Sequence, residues 1–233
     1  MTVSSLTEPR EVAIAIGSAT LRGSLCRPPS AHALVLFAHG SGSGRLSPRN
    51  KAVAKYLSDR GLATLLFDLL TADEEAFDLV TAELRFNIGL LAERLAQATR
   101  WVSSHPELKS LTIGYFGAST GAAAALVAAV ECPEVQAIVS RGGRPDLAGS
   151  ALQRIRVPTL LIVGGFDLEV LELNRTALAA LGSESRLEIV PRATHLFEEP
   201  GALEHVAAVA LRWFERYLVA TRAHRAQSND AAL

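Results

Sequence analysis

The sequence predicts an α/β fold with a mostly parallel, twisted sheet of about eight strands and helices on both faces. Short β-prone apolar runs alternate with segments of helical periodicity, the order expected of parallel strands joined by crossover helices. Several runs, Ala33–Ala38 among them, are apolar at every position, which is typical of strands covered on both faces. No connecting segment is long enough for a large cap domain. We therefore expect one domain over residues 1–233, with loose ends at 1–10 and 222–233.

The first element is a predicted antiparallel hairpin at one edge of this sheet. Val12, Ile14 and Ile16 alternate with less apolar residues, as in a strand with one buried face. Gly17-Ser18 supplies a turn, and a second short strand runs from there to Cys26.

The remaining elements follow in alternation. Predicted strands lie at 33–38, 62–67, 111–116, 135–140, 159–163 and 186–190. Ser47 followed by Pro48 has the pattern of an N-cap with proline in the first turn, and it opens a helix that ends near Ser58. Helices are also predicted at 88–103, from the end of the 111–116 strand to about 131, and at 200–219.

Composition and charge indicate which binding partners and which cellular compartment to expect. The formal net charge is −1 and the sequence pI is about 6.6, which gives no general attraction to nucleic acid or an anionic membrane. The two cysteines, Cys26 and Cys132, have no metal-ligand spacing, so we expect neither metal nor cofactor. No signal peptide is visible, and the longest apolar run, 122–130, falls short of the roughly 20 residues that span a bilayer. We expect a cytoplasmic monomer or homodimer.

A Gly-x-Ser-x-Gly motif provides the main functional signal. The apolar run at 111–116 stops at Gly117-Ala-Ser119-Thr-Gly121, and an Ala-rich run with high helix propensity begins at once. Between a strand and a helix, this motif forms a sharp, strained turn that presents the serine hydroxyl above the sheet. Ser119 is therefore the candidate nucleophile.

Two further residues fall on the same edge of the predicted sheet as Ser119. The carboxyl ends of parallel strands meet at one rim, where ligands bind. Asp167 follows the strand at 159–163, and His195 follows the strand at 186–190. An imidazole can remove the proton of a serine hydroxyl, and a carboxylate on its far nitrogen orients the ring. Glu169 and Asp146 are the alternatives for the carboxylate.

The tetrahedral intermediate of such a reaction needs donors for its oxyanion. The N–H of Thr120, at the start of the helix, is one candidate. The N–H of Ser41, in the glycine-rich loop after the strand at 33–38, is the other.

These features resemble the α/β-hydrolase superfamily, and more narrowly its dienelactone-hydrolase-like branch of small members without a lid. The resemblance covers about residues 12–219. It rests on four motifs: His39-Gly40, Gly117-Ala-Ser-Thr-Gly121, Gly165-Phe-Asp167 and Ala193-Thr-His195-Leu-Phe. It implies that Ser119 is the nucleophile, His195 the base and Asp167 the orienting group. It also implies that His39 braces its loop. True dienelactone hydrolases have cysteine at the position of Ser119, so the resemblance extends to the ester-cleaving residues and does not imply a dienelactone substrate.

Rim side chains offer candidates for substrate binding. Arg45 and Arg141 are the arginines most suited to bind a substrate carboxylate with two hydrogen bonds. The alternative is that the rim arginines are solvated or paired with Asp68, Asp146 or Glu198. Phe166, Leu196 and Phe197 flank the presumed catalytic loops and either line the acyl pocket or belong to the core.

The function predicted is that of a serine carboxylester hydrolase that cleaves small or accessible esters through an acyl-enzyme. Lactone hydrolysis and a catalytically silent hydrolase fold are the alternatives. A dinucleotide site is disfavoured, because the third glycine of its fingerprint is Arg45 or Ser47 here, and no P-loop motif is present.

Overall fold

A computed structural model describes residues 8–17 and 19–219. Its eight strands are β1 Arg10–Ile16, β2 Ala19–Cys26, β3 Ala33–Ala38, β4 Ala63–Phe67, β5 Thr112–Ala118, β6 Val135–Arg141, β7 Thr159–Gly164 and β8 Ser185–Val190. They form one sheet in the order β1-β2-β4-β3-β5-β6-β7-β8. β2 pairs antiparallel with β1 and β4, and every other pair is parallel. The fold class is confirmed: this is an α/β-hydrolase fold, and the described residues contain no cap domain.

Six α-helices cover the two faces of the sheet. They are α1 Pro48–Ser58, α2 Ala72–Thr81, α3 Ile88–Ser104, α4 Thr120–Glu131, α5 Leu168–Ala180 and α6 Ala202–Phe214. Short 3-10 segments lie at Leu84–Phe86 and Pro145–Arg154, and a π-helical turn at Glu215–Val219 follows α6. Among the described helices, none has the length and apolarity that a bilayer crossing requires.

The alternation of side chains along the central strands divides the core into two layers. In β3, Leu34 and Leu36 belong to the layer that includes α3 and α4. Val35 and Phe37 belong to the layer that includes α1 and α6. All residues of β3, β4 and β7 are buried, as the continuous apolar runs predict. Burial of each large apolar side chain stabilises the fold by about 1.5–3 kcal/mol.

Two helices were not assigned from the sequence. α2 begins with a capping box, in which Thr71 Oγ1 accepts from the Glu74 N–H and the Glu74 carboxylate accepts from the Thr71 N–H. It has no apolar stripe toward the core, because Asp78 is its one buried residue, so periodicity gives no signal. α5 buries Val170, Leu171, Asn174 and Ala177, a helical spacing interrupted by a polar residue.

The predicted ends of the other elements agree with the structure to within about three residues, and the last helix changes to a π-helical turn after Phe214. Part of the predictions lies outside the described residues: the Ser18 half of the hairpin turn, residues 1–7 and the tail 222–233.

Phe214 of α6 should contribute strongly to stability. It is fully buried, and a Cβ on Gly114 of β5 would lie 2.9 Å from its Cε1, so the ring packs directly on the strand backbone. We expect Phe214→Ala to lower the free energy of unfolding by about 3–5 kcal/mol, because it leaves a cavity. Phe77→Ala, at a site that is half exposed, is the matched control and should change it by less than about 0.5 kcal/mol. Urea denaturation measures both, and equal effects would contradict this account of the core.

Candidate active site

Ser119 occupies a strained turn between β5 and α4. Its φ and ψ are 50° and −123°, a region that costs a non-glycine residue about 1–3 kcal/mol. The flanking glycines make the turn possible. A Cβ on Gly117 would lie 2.4 Å from Cα of Ala122, and one on Gly121 would lie 2.2 Å from the carbonyl oxygen of Ala38. No side chain fits at either position.

The backbone of Ser119 is fixed by hydrogen bonds on both sides. Its N–H donates to the carbonyl of Arg141 over 3.3 Å, and its carbonyl accepts from the N–H of Arg144 over 3.1 Å. A Cβ on Gly40 would lie 2.9 Å from Cβ of Ser119, so the loop after β3 passes directly beside the serine. The structure therefore brings β3, β5 and β6 together at this residue.

Asp167 and His195 form a hydrogen-bonded pair at the same rim. Nδ1 of His195 lies 2.6 Å from Oδ2 of Asp167. Asp167 occupies the N-cap position of α5 but makes no capping hydrogen bond with its side chain, which leaves the carboxylate available for the imidazole. Of the two alternatives, Asp146 accepts two hydrogen bonds from Arg144, and Glu169 is exposed in the first turn of α5.

The imidazole of His195 also lies close to the end of β6, where the Arg141 carbonyl binds the Ser119 N–H. A Cβ on Gly142 would be 3.5 Å from Cε1 of His195, and Gly142 follows the residue whose carbonyl binds the Ser119 N–H. Among the hydrogen bonds of the described residues, none joins Oγ of Ser119 to His195. Such contacts are often long before substrate binds and tighten in the reacting complex.

Ser41 and Thr120 line one cleft, of about 80 Å³, beside the serine. The loop of Ser41 is held by a turn in which the N–H of Ser43 donates to the carbonyl of Gly40 over 3.2 Å. Thr120 is the first residue of α4, where backbone N–H groups have no partner within the helix. Two N–H groups suited to an oxyanion thus come from two elements that meet at one cleft.

The side chain of His39 makes hydrogen bonds that hold the loop after β3 in place. Its Nε2 accepts the N–H of Leu69 over 3.0 Å, and its Nδ1 lies 3.0 Å from the carbonyl of Gly40. A ring that accepts at Nε2 is neutral and carries its proton on Nδ1. Burial lowers the pKa of His39, which favours this neutral form. His39 therefore joins the loop after β3 to the loop after β4, as expected.

Comparison with known proteins shows the family of this chain. Residues 21–220 match the Dienelactone hydrolase family. The chain belongs to the dienelactone hydrolase family. A dienelactone hydrolase crystal structure from Anabaena variabilis is 58% identical, covers 91% of this chain and 99% of its own, and has a TM-score of 0.90. A dienelactone hydrolase-like promiscuous phosphotriesterase from metagenomic libraries shares the fold at 19% identity, with a TM-score of 0.74 over 91% of this chain and 100% of that one.

Curated relatives of this family member are longer. A putative phosphoribosyl transferase of Mycobacterium tuberculosis is 53% identical over 209 residues, which are 89% of this chain and 46% of that protein. The chain therefore spans about half the length of the curated relatives it matches.

Arg45, a predicted substrate-binding residue, is engaged by carboxylates of the protein. Its Nη1 lies 2.8 Å from Oδ2 of Asp68, its backbone N–H also binds Asp68, and its Nη2 lies 3.2 Å from Glu11. The structure therefore does not bring a free Arg45 guanidinium to the site, and the paired alternative describes it. Two other rim arginines are paired in the same way, Arg49 with Glu198 and Arg144 with Asp146.

Arg141, at the end of β6, differs from the other three arginines. It is 8% exposed, and its Nε and Nη1 are buried with no hydrogen-bond partner among the described residues. Nη2 makes one long hydrogen bond of 3.4 Å to Asn50, and the ring of Phe197 lies 6.0 Å from the guanidinium carbon. Burial, with a contribution from the nearby Arg49 charge, lowers the pKa of Arg141 to about 10. Arg141 is thus a buried cation that pairs with no carboxylate of residues 8–17 and 19–219.

The three predicted apolar residues differ in exposure. Phe166 is 65% exposed beside Asp167, and Leu196 is 40% exposed beside His195, whereas Phe197 is buried in the core. Two further leucines are exposed nearby: Leu147 in the 3-10 segment and Leu168 at the first position of α5.

One part of the cleft could not be found from the sequence. Asp78 and Arg85, from α2 and the 3-10 segment after it, form its outer wall together with Leu79. A charged pair seven residues apart on a polar segment has no pattern that separates it from solvated surface residues.

The neutral state of His39 gives a testable pH dependence. Burial lowers its folded-state pKa below the ordinary value of 6.5, although the Gly40 carbonyl, Asp68 and Glu75 act in the opposite direction. The folded protein then binds this proton less readily than the unfolded chain does. Stability from neutral His39 is present above pH 6.5 and is lost as the pH falls toward the folded-state pKa.

We therefore expect the free energy of unfolding to decrease between about pH 7 and pH 5, and His39→Gln to flatten this dependence. Urea titrations of both proteins across that range measure it. An identical pH slope in the two proteins would mean that His39 is protonated equally well in the folded and unfolded states.

Proposed function

We propose that the chain is a serine hydrolase that cleaves carboxylic esters through an acyl-enzyme. The observation that carries the proposal is the 2.6 Å contact between His195 and Asp167 beside a serine held in a strained turn. Membership of the dienelactone hydrolase family supports hydrolysis in general. The esterase activity, the roles of the residues and the acyl-enzyme belong to the proposal.

In this mechanism, Nε2 of His195 removes the proton of Ser119 as Oγ attacks the ester carbonyl. Asp167 stays ionised and accepts a hydrogen bond from the Nδ1–H of His195, which fixes the tautomer and stabilises the imidazolium. The N–H groups of Ser41 and Thr120 donate to the oxyanion of the tetrahedral intermediate. His195 then returns the proton to the leaving alcohol. Water, activated by the same imidazole, hydrolyses the acyl-enzyme and regenerates Ser119.

Lactones are the alternative substrates. A lactone is a cyclic ester, so its cleavage uses the same groups, and the leaving alcohol remains attached to the acyl group. Within the described residues no separate cap domain covers the rim, which suits small esters of either kind. The name of the M. tuberculosis relative describes a protein about twice as long, and it does not assign phosphoribosyl transfer to the half that this chain matches.

Substitution of the proposed catalytic residues tests the mechanism. We expect Ser119→Ala to lower kcat on short p-nitrophenyl esters by about 10⁶ and Asp167→Asn by about 10⁴, because the residues act as one unit. His39→Ala should cost far less, because that side chain braces a loop. A fluorophosphonate should label the wild-type protein at Ser119. Absence of both labelling and ester cleavage would indicate a catalytically silent member of the family.

The uncompensated charge of Arg141 supports a substrate with a carboxylate on its acid part. Kinetics on monomethyl succinate and its uncharged isostere methyl 4-methylpentanoate test this. We expect Arg141→Met to lower the ratio of kcat/KM for the charged over the neutral ester by tenfold or more, because charged hydrogen bonds are lost. Arg45→Met, which removes an arginine already paired, should leave the ratio unchanged. Equal kcat/KM for both esters in the wild-type protein would contradict a carboxylate-binding role for Arg141.

A further inference from the structure

The cleft beside Ser119 has a second wall that the proposed mechanism does not use. Its inner side is formed by the loop from Gly40 to Ser43 and by Thr120, which hold the proposed oxyanion donors. Its outer side is formed by α2 and the 3-10 segment that follows, with Asp78, Leu79 and Arg85 at the surface of the cleft. A group attached to an ester carbonyl bound at Ser41 and Thr120 would therefore lie close to this wall.

Arg85 is held rigidly in the wall by Asp78. The Asp78 carboxylate accepts from the backbone N–H groups of Leu84 and Arg85 over 2.7 and 3.0 Å, and from Nε of Arg85 over 2.7 Å. Nη2 of Arg85 donates to the backbone carbonyl of Asp78 over 2.7 Å. Asp78 is 5% exposed although the rest of α2 is largely at the surface. These hydrogen bonds hold the Arg85 guanidinium in one position relative to α2.

The fixed guanidinium presents its remaining donor to the cleft. Nη1 of Arg85 makes no hydrogen bond among the described residues, and it would lie 3.9 Å from a Cβ on Gly42 of the facing loop. A second polar atom on the opposite wall, the buried hydroxyl of Thr120, also has no partner in the described part of the chain. A guanidinium fixed in advance loses little conformational entropy when it binds a ligand.

The charges around the cleft favour an uncharged ligand. Asp68, Glu75 and Asp78 line it with Arg85, and His39 is neutral, so carboxylates outnumber cations even after Asp68 pairs with Arg45. An anion would meet this excess of negative charge. A hydroxyl group can accept from Nη1 and donate to a carboxylate or to a serine or threonine hydroxyl.

We propose that Arg85, positioned by Asp78, contacts the substrate and selects esters that carry an uncharged hydroxyl group close to the scissile bond. Arg85 is the specificity-determining residue, and Asp78 is a positioning residue. The proposal rests on the proposed ester hydrolysis and deepens it by a substrate class.

Two pairs of isosteric esters measure the selectivity. Methyl 3-hydroxybutyrate and methyl isovalerate differ by a hydroxyl in place of a methyl group on the acid part. 2-Hydroxyethyl butyrate and propyl butyrate differ in the same way on the alcohol part. The wild-type enzyme should have a higher kcat/KM for the hydroxyl ester of at least one pair.

Arg85→Met should lower that preference by tenfold or more, while the rate on the uncharged alkyl ester stays within a few fold of wild type. Asp78→Asn should lower it as well, because the amide keeps an oxygen for the two backbone N–H groups but offers Nε of Arg85 an N–H₂ group. Arg94→Met is the matched control: it removes another arginine of the same region, paired with Glu74 and outside the cleft, and should leave the preference unchanged. Far-UV circular dichroism and melting temperature show whether each variant is folded.

The outcomes distinguish failure of the proposed role of Arg85 from failure of the proposed ester hydrolysis on which it rests. If no ester is cleaved by the wild-type protein, the proposed function fails. If alkyl esters are cleaved but neither pair shows a preference, or if the preference survives Arg85→Met and Asp78→Asn, the role of Arg85 is overturned. A preference for monomethyl succinate that Arg85→Met abolishes would overturn the uncharged class and make Arg85 a carboxylate-binding residue. If one variant does not fold, the other decides.

Discussion

The close approach of three backbone segments at Ser119 is the constraint on which the site depends. Three glycines, at 40, 117 and 121, occupy positions where a Cβ would come within 2.9 Å or less of another heavy atom. The helix that follows is compatible with this crowding, since half of the residues of α4 are alanine and nine of its residues are buried. Its small side chains let the helix lie close to the sheet, and their burial helps offset the strain of the positive φ at Ser119.

The electrostatics of the rim follow from how its arginines are paired. Arg45, Arg49 and Arg144 each bind a carboxylate of the protein, at sites that water also reaches, so each pair contributes modestly to stability. Arg141 is withdrawn from water and has no such partner in the part of the chain that the structure describes, an arrangement that destabilises the folded state unless something else compensates the charge. The dehydrated guanidinium is thus better suited to binding than to stability.

The strands of the sheet can be predicted from the sequence, whereas the side-chain contacts around the site cannot. Continuous apolar runs identify strands that are buried on both faces, and the direction of parallel strands then assigns Ser119, Asp167 and His195 to one edge. That reasoning locates residues at the ends of strands, but it gives no side-chain distances. It therefore could not separate Arg45, which binds Asp68, from Arg141, which binds no carboxylate among the described residues. Arg45 follows β3 and Arg141 ends β6, and both strands end at the same rim.

The outer wall of the cleft was missed for a different physical reason. α2 is stabilised by its capping box and by the contacts of Asp78, and an apolar stripe is absent from it. Periodicity detects helices that pack on a core and is silent about helices that do not.

The same property of α2 bears on how family members could diverge. A segment that buries one side chain can be exchanged or reshaped without disturbing the packing of the sheet beneath it. Two enzymes could then share an identical nucleophile turn and still accept different molecules. Changes in substrate preference within this family would then be concentrated in residues 68–87, between β4 and α3.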